Sequence, residues 1–421
     1  KFNDLTIENC SVVTTNRWGI AAAYTYAWAQ LNSAHLNEAA LEKYASSNVT
    51  IQNNYIKAAG GDAITTMYVD QPLVQYNVAE DCSRQMNPTD YPSGWQRVAA
   101  GIWPWKCKDS VFQYNECYNN QYAYHGNGDG QAWDADWTDG TLYQYNYSHG
   151  NSRGAIMFCG AEAVNTTFRY NISENELTGP LDLPGNPDAH IYNNTFYMNE
   201  NIKSIFDRTG GNAVLENNIF YYGGSTPLNQ NWYPGGTLQY DNNLYYNFAN
   251  TPSGDKNAVV VNAGTKVLED AGSGPSSNTS GIAYIKENAS VFDGYKLAED
   301  SPAINAGKVI TDNNGYDLEH DFFGHALTDI PEIGAAESDY VTVTATSNVY
   351  NVANDQISGL AKHTTVKELL KNLKIDSNAQ VTVKSGDKVL AENDVVNGGC
   401  TVTISYGEKS KTYTIVASSD C

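Results

Sequence analysis

The sequence predicts an all-β protein whose main part is a right-handed parallel β-helix, followed by a small C-terminal module that is α+β or rich in β-strand. A short pattern supports this prediction: an apolar residue, any residue, Tyr or Asn, and then Asn. It recurs eight times, with its final Asn at positions 54, 77, 115, 146, 171, 194, 218 and 243. The composition agrees, because the 421 residues include 30 Tyr, 47 Asn and 35 Gly but only 17% charged residues. Such a balance is typical of repetitive β-proteins with polar, uncharged turns.

The spacing of the repeats favours one architecture. Successive final Asn residues are separated by 23, 38, 31, 25, 23, 24 and 25 residues, so the base period is near two dozen. In a parallel β-helix, alternating side chains of short strands fill a narrow core, and each strand pairs with its copy one turn further on. The Asn is expected at a turn, where αL geometry is tolerated and stacked side-chain amides can hydrogen-bond along the axis. A leucine-rich solenoid and a propeller are the alternatives, and sparse Leu and the short period count against them.

The repeat pattern also divides the chain. The β-helix is predicted to span residues 1–337 as the catalytic domain, with a helical insertion at about 19–45. The Tyr-Asn copies stop before about residue 340, and residues 341–421 are predicted to form a small accessory module with a structural or spacer role. In that module a capping box at Thr365–Glu368 predicts the start of a helix.

The charge balance excludes several classes of partner. With 25 Lys and Arg against 47 Asp and Glu, the formal net charge is −22. An acidic surface repels polyanions, which argues against nucleic acid and against uronate polymers as ligands. No run of about 18 apolar residues could span a bilayer, so no membrane insertion is expected. A composition that is poor in charge and rich in Asn, Gly and Tyr predicts an extracellular or bacterial cell-surface protein, and the exclusion of polyanions favours a neutral oligosaccharide as its partner.

The two stretched intervals, 77 to 115 and 115 to 146, predict long loops where a site could be built. The second contains His125–Gly140, with four carboxylates within eleven residues, two Trp and four Gly. Glycosidases need two carboxyl groups that flank the scissile bond, and aromatic faces for the apolar sides of the sugar rings. Glycines let the backbone bring carboxylates together, which would raise the pKa of one of them and make it an acid.

Two other interpretations of this segment stay open. Asp134, Asp136 and Asp139 with Gly140 partly imitate a calcium-binding loop, although Tyr145 stands where the bidentate Glu would be. An Asp-rich turn could also merely satisfy its own backbone. A structural calcium ion is thus an alternative, and no cofactor is expected to be required.

Candidate substrate-binding residues flank the carboxylates or lie one repeat earlier, and they are Trp133, Trp137, Asp134, His125, Trp103 and Trp105. Packing in the core or in a loop is the alternative for each tryptophan, and an ordinary loop histidine is the alternative for His125. No zinc-binding spacing accompanies them.

The segment Asp129–Asp136, followed by Tyr143–His149 and Asn151–Gly154, resembles the active-site segment of the β-helical lacto-N-biosidases, glycoside hydrolase family 136. The resemblance implies release of lacto-N-biose, Gal-β-1,3-GlcNAc, from the non-reducing end of lacto-N-tetraose with net retention. The two catalytic Asp residues of the family stand seven residues apart, as Asp129 and Asp136 do. The resemblance therefore implies that Asp129 is the acid/base and Asp136 the nucleophile.

Members of this family have more β-helix or a helical accessory portion ahead of the site. Here Phe2–Val12 already resembles a strand, and an uncovered solenoid end exposes unpaired backbone groups and an apolar core. We therefore expect an N-terminal accessory portion or a separate subunit to cap this end, and the alternative is that the insertion at about 19–45 folds back over it. The alternative functions are a β-helix polysaccharide lyase, which needs a basic residue and an acidic polymer, and a non-catalytic carbohydrate-binding surface protein.

Overall fold

The computed structural model describes residues 1–23, 38–84, 98–121, 128–278, 281–311, 314–328, 330–338 and 340–416. Three parallel β-sheets form its main framework. Sheet 1 comprises Asn3–Glu8, Ser46–Gln52, Val69–Asp70, Leu73–Gln75, Val111–Gln113, Leu142–Gln144, Thr167–Arg169, His190–Tyr192, Ala213–Glu216 and Leu238–Asp241. Sheet 2 comprises Ser11–Thr15, Tyr55–Ala59, Val78–Glu80, Glu116–Tyr118, Tyr147–His149, Ile172–Glu174, Thr195–Met198, Ile219–Tyr222, Leu244–Tyr246 and Val259–Val261. Sheet 3 comprises Ile20–Ala23, Ile64–Met67, Ile102–Trp105, Trp133–Asp136, Ile156–Cys159 and Leu181–Asp182.

From Leu73–Gln75 to Leu244–Tyr246, consecutive strands of the chain belong to different sheets. Leu142–Gln144 lies in sheet 1, Tyr147–His149 in sheet 2 and Ile156–Cys159 in sheet 3, after which Thr167–Arg169 returns to sheet 1. Each strand pairs in parallel with the equivalent strand one repeat along the chain, as Leu142–Gln144 does with Thr167–Arg169. The predicted all-β class is confirmed, and the sheets that carry it are parallel.

The core lies along the inward positions of these strands. Because successive side chains of a strand point to opposite faces, each three-residue strand of sheet 1 contributes mainly its middle residue to the core. Phe168 of sheet 1 and the neighbouring sheet 2 residues Phe196 and Phe220 are fully buried, with ring centroids 6.2 Å and 5.5 Å apart. Burying each ring stabilises the fold by about 2–3 kcal/mol.

The predicted ladder of Asn side chains is confirmed. Asn146 donates from Nδ2 to Oδ1 of Asn171 at 3.0 Å and accepts at Oδ1 from Nδ2 of Asn115 at 3.1 Å. The same contact joins every neighbouring pair from Asn54 to Asn243, where the ladder ends on the carboxylate of Asp255. Each amide also donates to a backbone carbonyl of an adjacent strand, so these buried polar groups are satisfied.

The αL turn itself lies one residue earlier than predicted. The residue before each ladder Asn has positive φ, and it is Asn in four repeats and Tyr in Tyr76, Tyr114, Tyr145 and Tyr170. A non-glycine residue other than Asn pays a steric cost there. Ring stacking offsets part of that cost, since Tyr76 and Tyr114 stack at 4.8 Å and Tyr114 and Tyr145 at 5.0 Å.

The predicted insertion at about 19–45 begins too early. Ile20–Ala23 is a strand that pairs with Ile64–Met67 in sheet 3, because its inward residues Ile20 and Ala22 fit the core. Residues 24–37 lie outside the described residues. A helix does occupy Glu38–Tyr44, in the C-terminal part of the predicted insertion.

Two further short helices follow the sheets, an α-helix at Tyr284–Glu287 and a 3₁₀ helix at Ala289–Tyr295. These elements belong to the first of two compact units, which comprises Lys1–Ala303, Ile310–Leu327 and Glu332–Glu337. None of the helices in the described part of the chain is long and apolar enough to cross a membrane.

The second compact unit comprises Ile304–Val309, Thr328–Pro331 and Ser338–Cys421. The paired strands Ala345–Thr346 and Lys374–Ile375 and a six-stranded sheet form its framework, and that sheet comprises Asn351–Ala353, Gln356–Ser358, Gln380–Ser385, Lys388–Val389, Thr401–Tyr406 and Lys409–Ile415. Its helix, Val366–Lys371, has Thr365 as N-cap, and the predicted capping box with Glu368 is confirmed. The accessory role of residues 341–421 stays a prediction.

Candidate active site

The candidate catalytic residues lie on and beside the strand Trp133–Asp136 of sheet 3. Trp133 and Ala135 belong to the buried core. Because side chains alternate along a strand, Asp134 and Asp136 point to the opposite, outer face of the sheet. Asp129 lies four residues before this strand, and Gly130 beside it has φ +127°, a backbone conformation that glycine adopts readily.

Trp133 is the clearest correction to the predicted site. Its side chain is 0% exposed, and its ring lies 6.0 Å from that of Tyr143 inside the core. It presents no face to a sugar, because the strand that places Asp134 and Asp136 outward necessarily places Trp133 inward. We therefore assign Trp133 to core packing instead of the predicted substrate platform.

The surroundings of Asp136 raise its pKa overall. By register it lies between Trp105 on one neighbouring strand and Cys159 on the other. Burial raises the pKa of Asp136 to about 7, and the negative charge of Asp129 adds to this rise. A hydrogen bond with the Cys159 thiol and the charge of Lys106 oppose the increase.

Asp129, the second candidate catalytic residue, contacts an arginine side chain. Its Oδ1 lies 3.4 Å from Nη2 of Arg208. Burial raises the pKa of Asp129 to about 6, and Arg208 lowers it, while the negative charge of Asp182 raises it. The loop around it is tied down as well, since Nη1 of Arg153 donates to the carbonyl of Gly128 at 3.3 Å.

The two carboxyls therefore share protons as a pair. With pKa values raised to about 6 and about 7, the pair carries about one proton between these two pH values and loses it above about pH 7. A retaining glycosidase requires this charge state, with one carboxylic acid and one carboxylate. The two values do not by themselves say which carboxyl is the acid, so the individual roles follow from the family resemblance.

Asp134 lies between them and is the most buried of the three. Its residue is 2% exposed, and burial with the charges of Asp136 and Asp129 raises its pKa well above the ordinary value. Among the described residues, its Oδ1 has no hydrogen-bond partner. A neutral Asp134 carboxyl could donate a hydrogen bond to a sugar hydroxyl, which agrees with its predicted place among the substrate ligands.

The tryptophans one repeat earlier share this outer face but differ in exposure. Trp103 is 8% exposed, packs against Tyr68 and donates from Nε1 to Oδ1 of Asp62 at 3.0 Å. Its role is therefore mainly packing, contrary to the predicted platform. Trp105 is partly exposed beside Asp136 and stays a candidate for sugar contact.

Trp137 is the most accessible of the predicted aromatic residues. Its residue is 37% exposed, and Nζ of Lys106 lies 4.8 Å from the ring centroid. The indole packs against Gly160, where a Cβ atom would meet its Nε1 at 2.1 Å. Glycine at 160 thus allows this ring to lie beside the carboxylates.

Two predicted features need separate mention. His125 lies outside the described residues. Within the described ranges, no group of three or more His, Cys, Asp or Glu side chains is arranged to hold a metal ion.

Sequence reasoning missed several charged or polar groups at this site. Cys159 stands 23 residues after Asp136, and Asp182 stands 25 residues after Met157, so the repeat period itself could have identified both as neighbours on sheet 3. Arg208 stands 26 residues after Asp182, and Phe206 near it bridges in parallel to Leu181, so the period could have placed Arg208 next to Asp182 as well.

Comparison with known proteins extends these observations. No protein-family model matches the chain. A lacto-N-biosidase from Bifidobacterium longum subsp. longum is 46% identical over an alignment of 429 positions, which covers 94% of this chain. The chain spans 27% of the length of that relative.

Two crystal structures of a GH136 lacto-N-biosidase from Eubacterium ramulus, one native and one with selenomethionine, are each 42% identical over 51% of this chain, with a TM-score of 0.47. The matched region makes up 35% of the native solved chain and 34% of the selenomethionine one. The identity to the Bifidobacterium longum protein extends far beyond the segment Asp129–Asp136 on which the resemblance was based. Over 94% of its residues, the chain is therefore similar to a lacto-N-biosidase, as the segment Asp129–Asp136 led us to expect.

Proposed function

We propose that the chain carries the catalytic centre of a retaining glycoside hydrolase that releases lacto-N-biose from the non-reducing end of lacto-N-tetraose and related human milk oligosaccharides or glycans. The observation that carries this proposal is the pair of carboxyls on and just before the strand Trp133–Asp136, Asp136 and Asp129, whose pKa values burial raises to about 7 and about 6. The similarity to the Bifidobacterium longum lacto-N-biosidase supports the substrate class. Because the chain spans 27% of its curated relative, the activity of the whole protein is part of the proposal.

In the proposed mechanism, the carboxylate of Asp136 attacks the anomeric carbon of the GlcNAc unit of lacto-N-biose. The carboxylic acid of Asp129 gives its proton to the glycosidic oxygen, and lactose leaves. Asp129 then takes a proton from water, and that water displaces Asp136 from the anomeric carbon. Two inversions at that carbon give net retention.

The proposed sugar contacts follow from exposure. Trp105, the register partner of Asp136, and Trp137, which follows Asp136 in the chain, offer partly exposed rings that could stack on the apolar face of a pyranose. The carboxyl of Asp134 provides a hydrogen-bond donor between the reacting groups. His125 is kept as a predicted ligand.

The order of the strands supports a right-handed parallel β-helix as the scaffold, and we include it in the proposal. The strands Asn3–Glu8, Ser11–Thr15 and Ile20–Ala23 each pair on one side among the described residues. Phe2 and Val13 beside them are 42% and 55% exposed. We propose that an N-terminal accessory portion or a separate subunit covers this end, since exposed strand edges and apolar side chains favour association.

The remaining elements of the proposal are an extracellular or bacterial cell-surface location and a reaction that requires no cofactor. A calcium ion, if one is bound, would be structural. Residues 341–421 would serve as the accessory module.

The test is incubation of the full chain with lacto-N-tetraose, with and without EDTA. The expected products are lacto-N-biose and lactose, unaffected by EDTA, and NMR of the first-formed lacto-N-biose should show the β-anomer. Asp129→Asn and Asp136→Asn should each be nearly inactive with the fold retained. An unsaturated uronate product from acidic polymers would indicate a lyase. Sugar binding without cleavage would indicate a carbohydrate-binding surface protein.

A further inference from the structure

A charged pair adjoins the candidate acid/base on the outer face of sheet 3. Arg208 forms a bidentate contact with Asp182, with Nε 2.9 Å from each carboxylate oxygen and Nη2 2.5 Å from Oδ2. The same Nη2 atom lies 3.4 Å from Oδ1 of Asp129. Asp182 thus makes three of the contacts between Arg208 and these two carboxylates, and Asp129 makes a single longer one.

Asp182 is well placed to hold this arrangement. Its side chain is 0% exposed, and it lies in register with Met157, which lies in register with Asp134. It also accepts from Nε2 of Gln131 at 2.6 Å, two residues after Asp129 in the chain. A buried carboxylate that binds both the arginine and the loop of Asp129 fixes the two relative to each other.

We propose that Asp182 and Arg208 form a positioning pair for Asp129, in which Asp182 holds the guanidinium so that a single nitrogen reaches the acid/base carboxyl. This inference rests on the proposed function, because it assigns the pair a role in the same reaction. The pair orients Asp129 without fully neutralising it. An arginine released from Asp182 would bind Asp129 directly and keep it ionised, and an ionised Asp129 cannot protonate the leaving group.

Other charges face Asp129 and set the background for the pair. Asp134 and Asp136 lie on the adjoining strand, Arg153 approaches from the following turn, and Asp62 contributes from the loop before Ile64–Met67. Arg153 is itself paired with Asp207 at 2.6 Å. Removing one member of the Asp182–Arg208 pair leaves these groups in place.

The test compares the pH dependence of kcat/KM for lacto-N-tetraose in four forms of the full chain. The alkaline limb reports the acid. In Asp182→Asn the pKa of Asp129 should fall, and the alkaline limb of the profile should shift to lower pH by about one unit. In Arg208→Gln the limb should move up by a similar amount, and kcat should fall about tenfold or more as orientation is lost. The double variant Asp182→Asn/Arg208→Gln should return the limb close to that of the wild type.

Two controls separate positioning from general damage. Arg208→Lys keeps the positive charge but cannot form the bidentate contact of a guanidinium. Compared with Arg208→Gln, it should return the alkaline limb to the pH of the wild type while kcat stays low. Glu216→Gln removes one partner of the His190–Glu216 contact of 2.8 Å on sheet 1 and should leave the profile unchanged. Limbs that move in the same direction in both single variants, or that do not move, would overturn the proposal.

A readout without turnover keeps this test distinct from that of the activity. With ¹³C-labelled aspartate, the Asp129 carboxyl resonance is the one lost in Asp129→Asn, and its titration should shift in the same opposite directions. If lacto-N-tetraose is not cleaved but these shifts appear, the proposed function fails and the electrostatic coupling of the pair stands. If cleavage occurs without the shifts, only the positioning pair fails.

Discussion

Replacing Asp136 by Asn should abolish activity and yet stabilise the protein at alkaline pH. The buried carboxyl has its pKa raised from 3.8 to about 7. A carboxyl with a raised pKa in the folded state binds its proton more tightly than in the unfolded chain. Its ionisation therefore destabilises the fold as the pH rises from about 4, and the full penalty is present above about 7.

The magnitude follows from this shift. A shift of about three pH units at about 1.36 kcal/mol per unit corresponds to about 4 kcal/mol of lost stability. Part of this loss is repulsion with Asp129, so we expect Asp136→Asn to raise the free energy of unfolding by about 2–4 kcal/mol. Asn keeps the shape of the side chain and removes the charge. The variant should thus gain this stability at pH 8 and gain almost nothing at pH 4.

The assay is thermal unfolding by calorimetry at pH 4 and pH 8, with lacto-N-tetraose hydrolysis measured alongside. Turnover should fall by about a thousandfold or more, which corresponds to about 4 kcal/mol in the barrier. The exposed Asp300→Asn serves as a matched control and should change neither quantity. A variant that is less stable than the wild type at pH 8, or that keeps more than about a tenth of the activity, would refute the reasoning.

Three further predictions concern the ladder, the aromatic residues and the substrate charge. Asn146→Ala removes four hydrogen bonds of 2.9–3.1 Å and should lower the free energy of unfolding in urea by about 3–5 kcal/mol, whereas the exposed Asn201→Ala should cost under about 0.5 kcal/mol. Trp137→Ala should lower kcat/KM about tenfold with little change in Tm, and Trp133→Ala should instead destabilise the fold by about 3–5 kcal/mol; equal effects on binding would contradict the assigned burial. Activity should vary less than about twofold between low and high ionic strength, and a steep loss would indicate a charged substrate.

The periodic part of the fold was predictable because its cause is local. Each repeat must turn at a residue that tolerates αL geometry, and the following Asn must be an Asn because both its amide hydrogens and its oxygen are used in the ladder. Such requirements recur at every repeat and therefore appear in the sequence as a period. The turn residue itself was placed one position late, since Tyr was not expected at positive φ.

The insertion shows where local reasoning fails. The stretch Ile20–Ala23 has helix-favouring alanines, but a neighbouring strand at Ile64–Met67 was available for pairing, and tertiary context overrode propensity.

The sequence by itself predicted the parallel β-repeats and the similarity to lacto-N-biosidases, and it singled out the carboxylates Asp129 and Asp136 as candidates, because spacing and residue type are properties of one segment. Only the tertiary structure decided which side chains face outward. It buried Trp133, left Trp137 exposed and brought Arg208 to Asp129 from 79 residues away. The sequence does not show which strand residues point outward when the strand boundary is uncertain by one residue, since a shift of one residue exchanges the two faces. The period places Arg208 one repeat after Asp182, but which atoms bond is decided only when the sheets have stacked the repeats against one another.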